Sequence, residues 1–149
     1  MLAKKKTIGR AERITFVGSG VINVPAKIDT GAYRSSVWAT GIREKDGRLY
    51  FKLLGHNSPF YTGLECSTNE YKLIEVENSF GHKQKRYSIF LSVEIAGKRI
   101  RSNFTLANRE MKTYPVLIGR KLLKNRFVVD VSGGAPISDE EKPNVDNLD

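Results

Sequence analysis

The chain has 149 residues, 40% of them apolar and 28% charged, a balance that fits one globular domain with enough length for a real core. Its net charge of +9 is unevenly spread: residues 133–149 carry five acids against Lys142, a net of −4, which leaves +13 on residues 1–132. No apolar run approaches the about 18 residues of a membrane span, the basic start leads into no apolar signal core, and a single cysteine, Cys66, excludes an internal disulfide and a multi-cysteine zinc site. A cytoplasmic protein with no membrane partner, no metal and no cofactor is the expectation.

Residues 1–11 are basic and irregular and read as a loose arm; the folded domain is expected over 12–132. Ile14 and Phe16 lie in a strand from Arg13 to Val17, and Gly18-Ser19-Gly20 turns it back into an apolar strand over 21–28, a hairpin that ends at Asp29. Pro25 has no N–H to donate, so this strand is expected to be bulged or open on one side there. Ser35 to Ala39 is short and β-prone, and Asp46-Gly47 between Ile42 and Leu49-Tyr50-Phe51 is a two-residue hairpin signal.

Residues 55–69 mix Gly, Pro, Asn, Ser and Thr without apolar period and read as a loop or insertion. Tyr71 to Val76 alternates as a strand, residues 78–82 turn, and Tyr87, Ile89, Leu91, Val93 and Ile95 keep a strict period of two. Ala96-Gly97-Lys98 turns the chain into a further strand carrying Ile100, Phe104 and Leu106. One helical segment, Arg120 to Asn125, sets Leu122 and Leu123 inward, and Phe127 to Val131 is a closing strand. Gly133-Gly134 with Pro136 and Pro143 opens what reads as a disordered acidic tail, 133–149. The predicted architecture is mostly β: a small closed β-barrel of hairpins with one short helix.

The candidate site is Ala26-Lys27-Ile28-Asp29-Thr30-Gly31-Ala32, with Ser35-Ser36-Val37-Trp38 behind it. An apolar strand delivers one carboxylate to the start of a turn, and Gly31 permits close backbone approach. Asp, Thr and Gly are also ordinary turn formers, but the apolar flank of Ala26, Ile28, Val37 and Trp38 would bury a turn that ought to be wet. A second stretch, Pro115 to Leu123, echoes the first: an apolar strand, Val116-Leu117-Ile118, breaks at Gly119 into Arg120 and a short helix.

Asp29-Thr30-Gly31-Ala32 followed by Leu117-Ile118-Gly119-Arg120 resembles the retropepsins, the single-lobed aspartic proteases. Adding Asn78-Ser79, Gly81, Arg86 and Asn108-Arg109-Glu110-Met111, the pattern over about residues 8–132 is similar to the bacterial retropepsin-like branch once labelled "ATP-dependent zinc protease", although the zinc of that label finds no ligand set here. The resemblance implies a homodimer in which each chain lends one Asp29, with Thr30 hydrogen-bonding across the axis, the Gly31 amide pointing at the carboxylate, and the apolar pair Leu117-Ile118 threading under the loop.

It also implies a flap around Asn78, Ser79 and Gly81, made basic here by Lys83, Lys85 and Arg86, and substrate contacts at Ala32, Asn78, Ser79, Gly81, Arg86 and Arg109. Relatives are associated with ligases that append glutamates to proteins, so an acidic peptide or glutamylated protein is the substrate implied. Arg120 is expected to brace the fold against a neighbouring carboxylate. The rival is a non-enzymatic basic β-barrel that binds nucleic acid or an acidic protein partner through Lys4 to Lys6, Lys83, Lys85, Arg86, Arg99 and Arg101, with Tyr87 as a stacking surface.

Overall fold

The computed structural model describes residues 4–78 and 80–144. Its strands are β1 (Lys6–Ile8), β2 (Ala11–Phe16), β3 (Val24–Ile28), β4 (Ser35–Lys45), β5 (Arg48–Leu53), β6 (Glu65–Thr68), β7 (Tyr71–Glu77), β8 (Lys83–Ile95), β9 (Lys98–Ala107), β10 (Val116–Ile118) and β11 (Phe127–Val129), with one α-helix, α1 (Arg120–Leu123). Among the described residues no helix is long and apolar enough to cross a membrane.

Six strands close on themselves in the order β10-β3-β2-β8-β9-β4, because β10 pairs with β3 on one side and with β4 on the other. Closure removes the sheet edges that a small open sheet would expose. The period of two read from the sequence is what fills the interior. Ile89, Val93 and Ile95 of β8 face inward with Ile100, Phe104 and Leu106 of β9, and Phe104 meets Phe16 edge-to-face with ring centroids 5.6 Å apart.

β4 serves two sheets. Its first residues, Ser35 to Trp38, lie in the barrel beside β9, while the half beyond Thr40 leaves the barrel to pair with β5 across a register shift between Thr40 and Arg43. The β4–β5 turn is Asp46-Gly47, both at positive φ (52° and 76°), as a two-residue turn of this hand requires.

Pro25 falls where its missing donor costs little. Ile28 N–H donates toward Arg10 O and Asp29 N–H toward Ile118 O, so by alternation position 25 would donate on the β10 side. There the β3–β10 register begins only at Ala26.

Three expectations need correcting. The N-terminal arm is partly built in: β1 pairs in parallel with β11, Lys6 opposite Phe127, a contact between chain ends that no local pattern announces. The stretch 55–69 is not all loop, because Glu65–Thr68 forms β6 on the outer edge of β5; its polar alternation suits a strand with little to bury. The helix is one turn, Arg120–Leu123, rather than reaching Asn125, which sits at positive φ.

Residues 133–144 of the expected loose tail form a strap across the barrel. Arg10 N–H donates to Gly133 O (3.0 Å), Ala135 N–H to Ala11 O (2.7 Å) and Ile137 N–H to the Tyr114 hydroxyl (3.1 Å). Gly9 makes the approach possible, since a Cβ there would collide with the Gly133 carbonyl. The acids serve as anchors: Glu141 takes a two-pronged pair from the Arg13 guanidinium, with Nη2 to Oε1 at 2.7 Å, and its Oε1 also accepts from the Ser138 amide (3.0 Å). Residues 145–149 of that tail and 1–3 of the arm lie outside the described residues.

Hydrogen bonds from Arg13 first, and then from Ser138, pull the Glu141 carboxyl from the usual 4.5 down to about 2. A depressed folded-state value means the pair contributes fully above about pH 4.5 and is lost as pH falls toward 2. Glu141→Gln is therefore expected to cost about 0.5–1 kcal/mol at pH 7, the scale of a largely exposed pair. Urea unfolding at stepwise lower pH should show variant and parent converging, and a constant gap down to pH 2 would contradict this.

Candidate active site

The site is made by threading one strand beneath one loop. β3 ends at Ile28, the chain turns through Asp29 to Arg34, and β4 departs at Ser35; β10 runs between the two, Val116 opposite Ala26 on one side and opposite Val37 on the other. The carbonyl of Ile118 accepts the Asp29 N–H at 2.8 Å, and Ala32 N–H closes the turn onto Asp29 O at 3.2 Å.

The chain then passes the loop at Gly119. Its N–H donates to the buried Ser35 Oγ (3.0 Å), and a Cβ at this position would stand 2.6 Å from Arg34 O and 2.8 Å from Tyr33 O. Only a residue without a side chain passes there. A short helix leaves its first amides without internal partners, and here the loop supplies them: Arg120 N–H donates to Ala32 O (2.8 Å) and Lys121 N–H to Tyr33 O (3.0 Å). Loop and helix start thus hold each other through backbone alone.

Within this frame Asp29 is half-buried, while Thr30 and Gly31 are exposed at the surface. Gly31 N–H donates to Asp29 Oδ1 at 2.9 Å, a bond that orients the carboxylate. Arg109 lies close enough to feel that charge. Burial lowers its guanidinium below the usual range first, the positive charge of Arg86 lowers it further, and Asp29 acts in the opposite direction.

Arg109 is fixed by Nε donating to Tyr114 O (2.9 Å), and Arg86, likewise lowered by burial, is held by Gln84 Oε1 (3.0 and 3.1 Å). Among the described residues neither guanidinium has a carboxylate within ion-pair distance. Asp29 therefore lies within electrostatic reach of Arg109, and Arg109 of Arg86, two cations whose charges are left for an incoming anion.

Asp29, Thr30, Gly31 and Ala32 thus share one loop with Leu117, Ile118 and Gly119 beneath it, and Arg86 and Arg109 converge on the same neighbourhood. Two roles differ from expectation. Arg120 meets no carboxylate: its Nη1 donates to Thr30 O at 3.2 Å and its guanidinium lies 5.9 Å from the Tyr33 ring centre, so it braces the loop through a carbonyl instead. Asn78 is spent on its own turn, with Oδ1 accepting from the Phe80 and His82 amides at 2.9 Å each, and so shapes the hairpin tip with Gly81 (φ +81°). Ser79 lies outside the described residues.

Ser35, which stands behind the candidate loop in the sequence pattern, and Tyr114 gain roles that the pattern alone does not assign: Ser35 Oγ accepts the Gly119 amide, and Tyr114 O holds Arg109. Burial pushes the Cys66 thiol up, the reverse of an activated nucleophile. Among the described residues no three His, Cys, Asp or Glu side chains gather where a metal could be held.

A closed barrel with an Asp-Thr-Gly loop crossed by a Gly-broken strand defines a chain of the retropepsin-like class. Residues 7–137 match the model of the RimB-like family, described as the retropepsin-like aspartic endopeptidase RimB, and the chain belongs to that family. Among curated relatives, a probable alpha-L-glutamate ligase of Shewanella pealeana is 30% identical over 136 residues, 89% of this chain and 30% of that protein. Another of that name from Shewanella halifaxensis is 28% identical over 152 residues, 99% and 33% respectively. The chain thus spans about a third of the length of the curated relatives it matches. A crystal structure of the Legionella pneumophila protein Lpg0085, of unknown function, superposes with a TM-score of 0.66 at 24% identity, covering 88% of this chain and 97% of that one, which supports the fold.

Gly119→Ala forces a methyl group against the Arg34 and Tyr33 carbonyls, and is expected to cost about 1–3 kcal/mol. Urea unfolding measures the loss, and exchange of the Lys121 amide should quicken as the loop lifts; an unchanged midpoint with a protected Lys121 amide would show that the passage is looser than its geometry.

Proposed function

We propose that this chain is one half of a homodimeric aspartic endopeptidase that cleaves acidic, glutamate-rich peptide segments. The observation that carries the reading is the single Asp29 carboxylate, oriented by the Gly31 amide, half-exposed on a braced loop and within electrostatic reach of Arg109, which in turn feels Arg86. One carboxylate per chain cannot be both base and acid, so a second copy supplies the other. Thr30 and Gly31 are exposed beside Asp29, so the tip of the loop is open to a second copy.

In such a pair the two carboxylates share one proton, because like charges in contact do not both ionise. The ionised Asp29 takes a proton from water as the water oxygen attacks the scissile carbonyl carbon, and the protonated one donates its proton to the carbonyl oxygen. Collapse of the tetrahedral diol passes a proton to the departing amine nitrogen and restores the shared proton. No covalent acyl-enzyme forms. Arg86 and Arg109 hold substrate carboxylates, for which a guanidinium fork is well shaped, and the name of the relatives, glutamate ligase, agrees with glutamate as the side chain concerned.

The nucleic-acid reading draws on the basic residues and the Tyr87 ring, and it is weakened because Tyr87 packs edge-to-face on Tyr71 and several of the cations are paired. Lys83 lies 3.5 Å from Glu75, Arg99 3.1 Å from Glu94 and Arg101 3.3 Å from Glu70, so three of the cations it needs are partly neutralised by acids of neighbouring segments.

Asp29→Asn should lower kcat on a glutamate-rich peptide by at least about a thousandfold while unfolding midpoint and sedimentation stay the same. Arg109→Ala should raise KM for that peptide more than for one in which Gln replaces each Glu. Full activity of the Asn variant, or a strictly monomeric active enzyme, would sink the proposal.

A further inference from the structure

A second cationic groove begins where the candidate catalytic loop ends. It holds about 520 Å³, within the range of small-ligand sites, and runs over the outer face of the barrel between the β7–β8 hairpin and α1. Three cations line it: Arg34, five residues after Asp29, Lys72 on β7, and Lys121 on α1. Lys121 is set in place from both ends, its amide on Tyr33 O and its Nζ on Asn103 Oδ1 at 3.1 Å.

None of the three has a carboxylate within 4.0 Å among the described residues. The one acid in the lining, Glu70, is taken by Arg101, whose guanidinium lies 4.1 Å from the Phe90 ring centre and closes that wall. Ser88 and Asn103 offer short polar groups on the floor. The groove is therefore positive with neutral polar lining, and its near end is the backbone that carries Asp29.

We propose that this groove is an exosite for the acidic residues of the substrate that lie beyond the scissile bond, an addition that rests on the peptidase reading above. A peptide crossing the Asp29 loop meets Arg34 next and then Lys121 and Lys72, so several of its carboxylates are engaged at once, outside the neighbourhood of Arg86 and Arg109. The groove favours a peptide over a nucleic acid because both rings in its lining are already engaged, Phe90 under Arg101 and Tyr71 edge-to-face with Tyr87, so neither stands clear as a stacking platform for a base. Long acidic substrates then bind more tightly than short ones through linked weak contacts.

Binding of fluorescein-labelled hexaglutamate to the full chain carrying Asp29→Asn reads the exosite without turnover. Lys72→Glu with Lys121→Glu should weaken binding at least tenfold, whereas Lys45→Glu with Arg48→Glu, the same charge change at the β4–β5 turn, should leave it within twofold. Lys72→Ala alone, on an exposed strand position, should give a smaller loss in the same direction should the double variant fold poorly. Equal affinity in all variants overturns the exosite, as does displacement of the probe by a decameric oligouridylate at lower concentration than by unlabelled hexaglutamate. Loss of binding in the reversed variants together with no hydrolysis by wild type would keep the exosite and remove the peptidase. Asp29-dependent hydrolysis with charge-insensitive binding would do the opposite.

Discussion

The fold depends on a backbone passing under a backbone. β10 closes the barrel by pairing on both sides, and immediately beyond it Gly119 slips beneath the Arg34 and Tyr33 carbonyls with no space for a side chain. That single constraint decides three things together: the barrel is shut, the Asp29 loop is tied down by the Ile118 carbonyl, and α1 starts with its amides satisfied by Ala32 and Tyr33. A loop so placed needs no side-chain packing of its own, so Thr30 and Gly31 can stay exposed while Asp29 keeps a fixed direction.

Charge is arranged around that loop with a consistent sense. Several cations on strands away from the loop have an acidic neighbour: Lys83 with Glu75, Arg99 with Glu94, Arg43 with Glu65. Arg86 and Arg109 instead are partly buried and tied to neutral oxygens of Gln84 and Tyr114, which fixes them without cancelling their charge. Holding a cation by a carbonyl rather than a carboxylate preserves its field for a ligand, and burial makes that field felt over a longer distance than in water.

The barrel and its loop were legible because they rest on short-range signals. Strict alternation along β8 and β9 gave two interior faces, Asp46-Gly47 gave a turn, and the Asp29 and Gly119 stretches together gave the family. What escaped was decided at a distance. β1 and β11 are each three residues long and matter only to each other, and β6 exists because β5 has a free edge. Asn78 and Arg120 were assigned by residue type, but the partner a side chain finds depends on the turn it stands in: an Asn two residues before an open amide closes its own loop, and an Arg beside a carbonyl cluster bonds to oxygen of either kind. Composition described residues 133–144 as acidic and broken by Gly and Pro, both true, yet one of those glycines, Gly134, is what allows close contact with the start of β2, where a Cβ would collide with Ala11 O.

That strap bears on how the positive body stays available. A tail of acids on a chain with a basic site could fold over the site and mask it. Here the acids of the strap have other partners: Glu141 is taken by Arg13 at β2, and Asp139 by Lys142 at 2.9 Å within the strap itself. Arg13 is in turn removed from the pool of free cations, while Arg34, Lys72, Arg86, Arg109 and Lys121 have no carboxylate partner among the described residues. The strap therefore stabilises the barrel where β2 needs covering and leaves the charge around Asp29 exposed, so selectivity for anions follows from which cations the chain neutralises itself and which it does not.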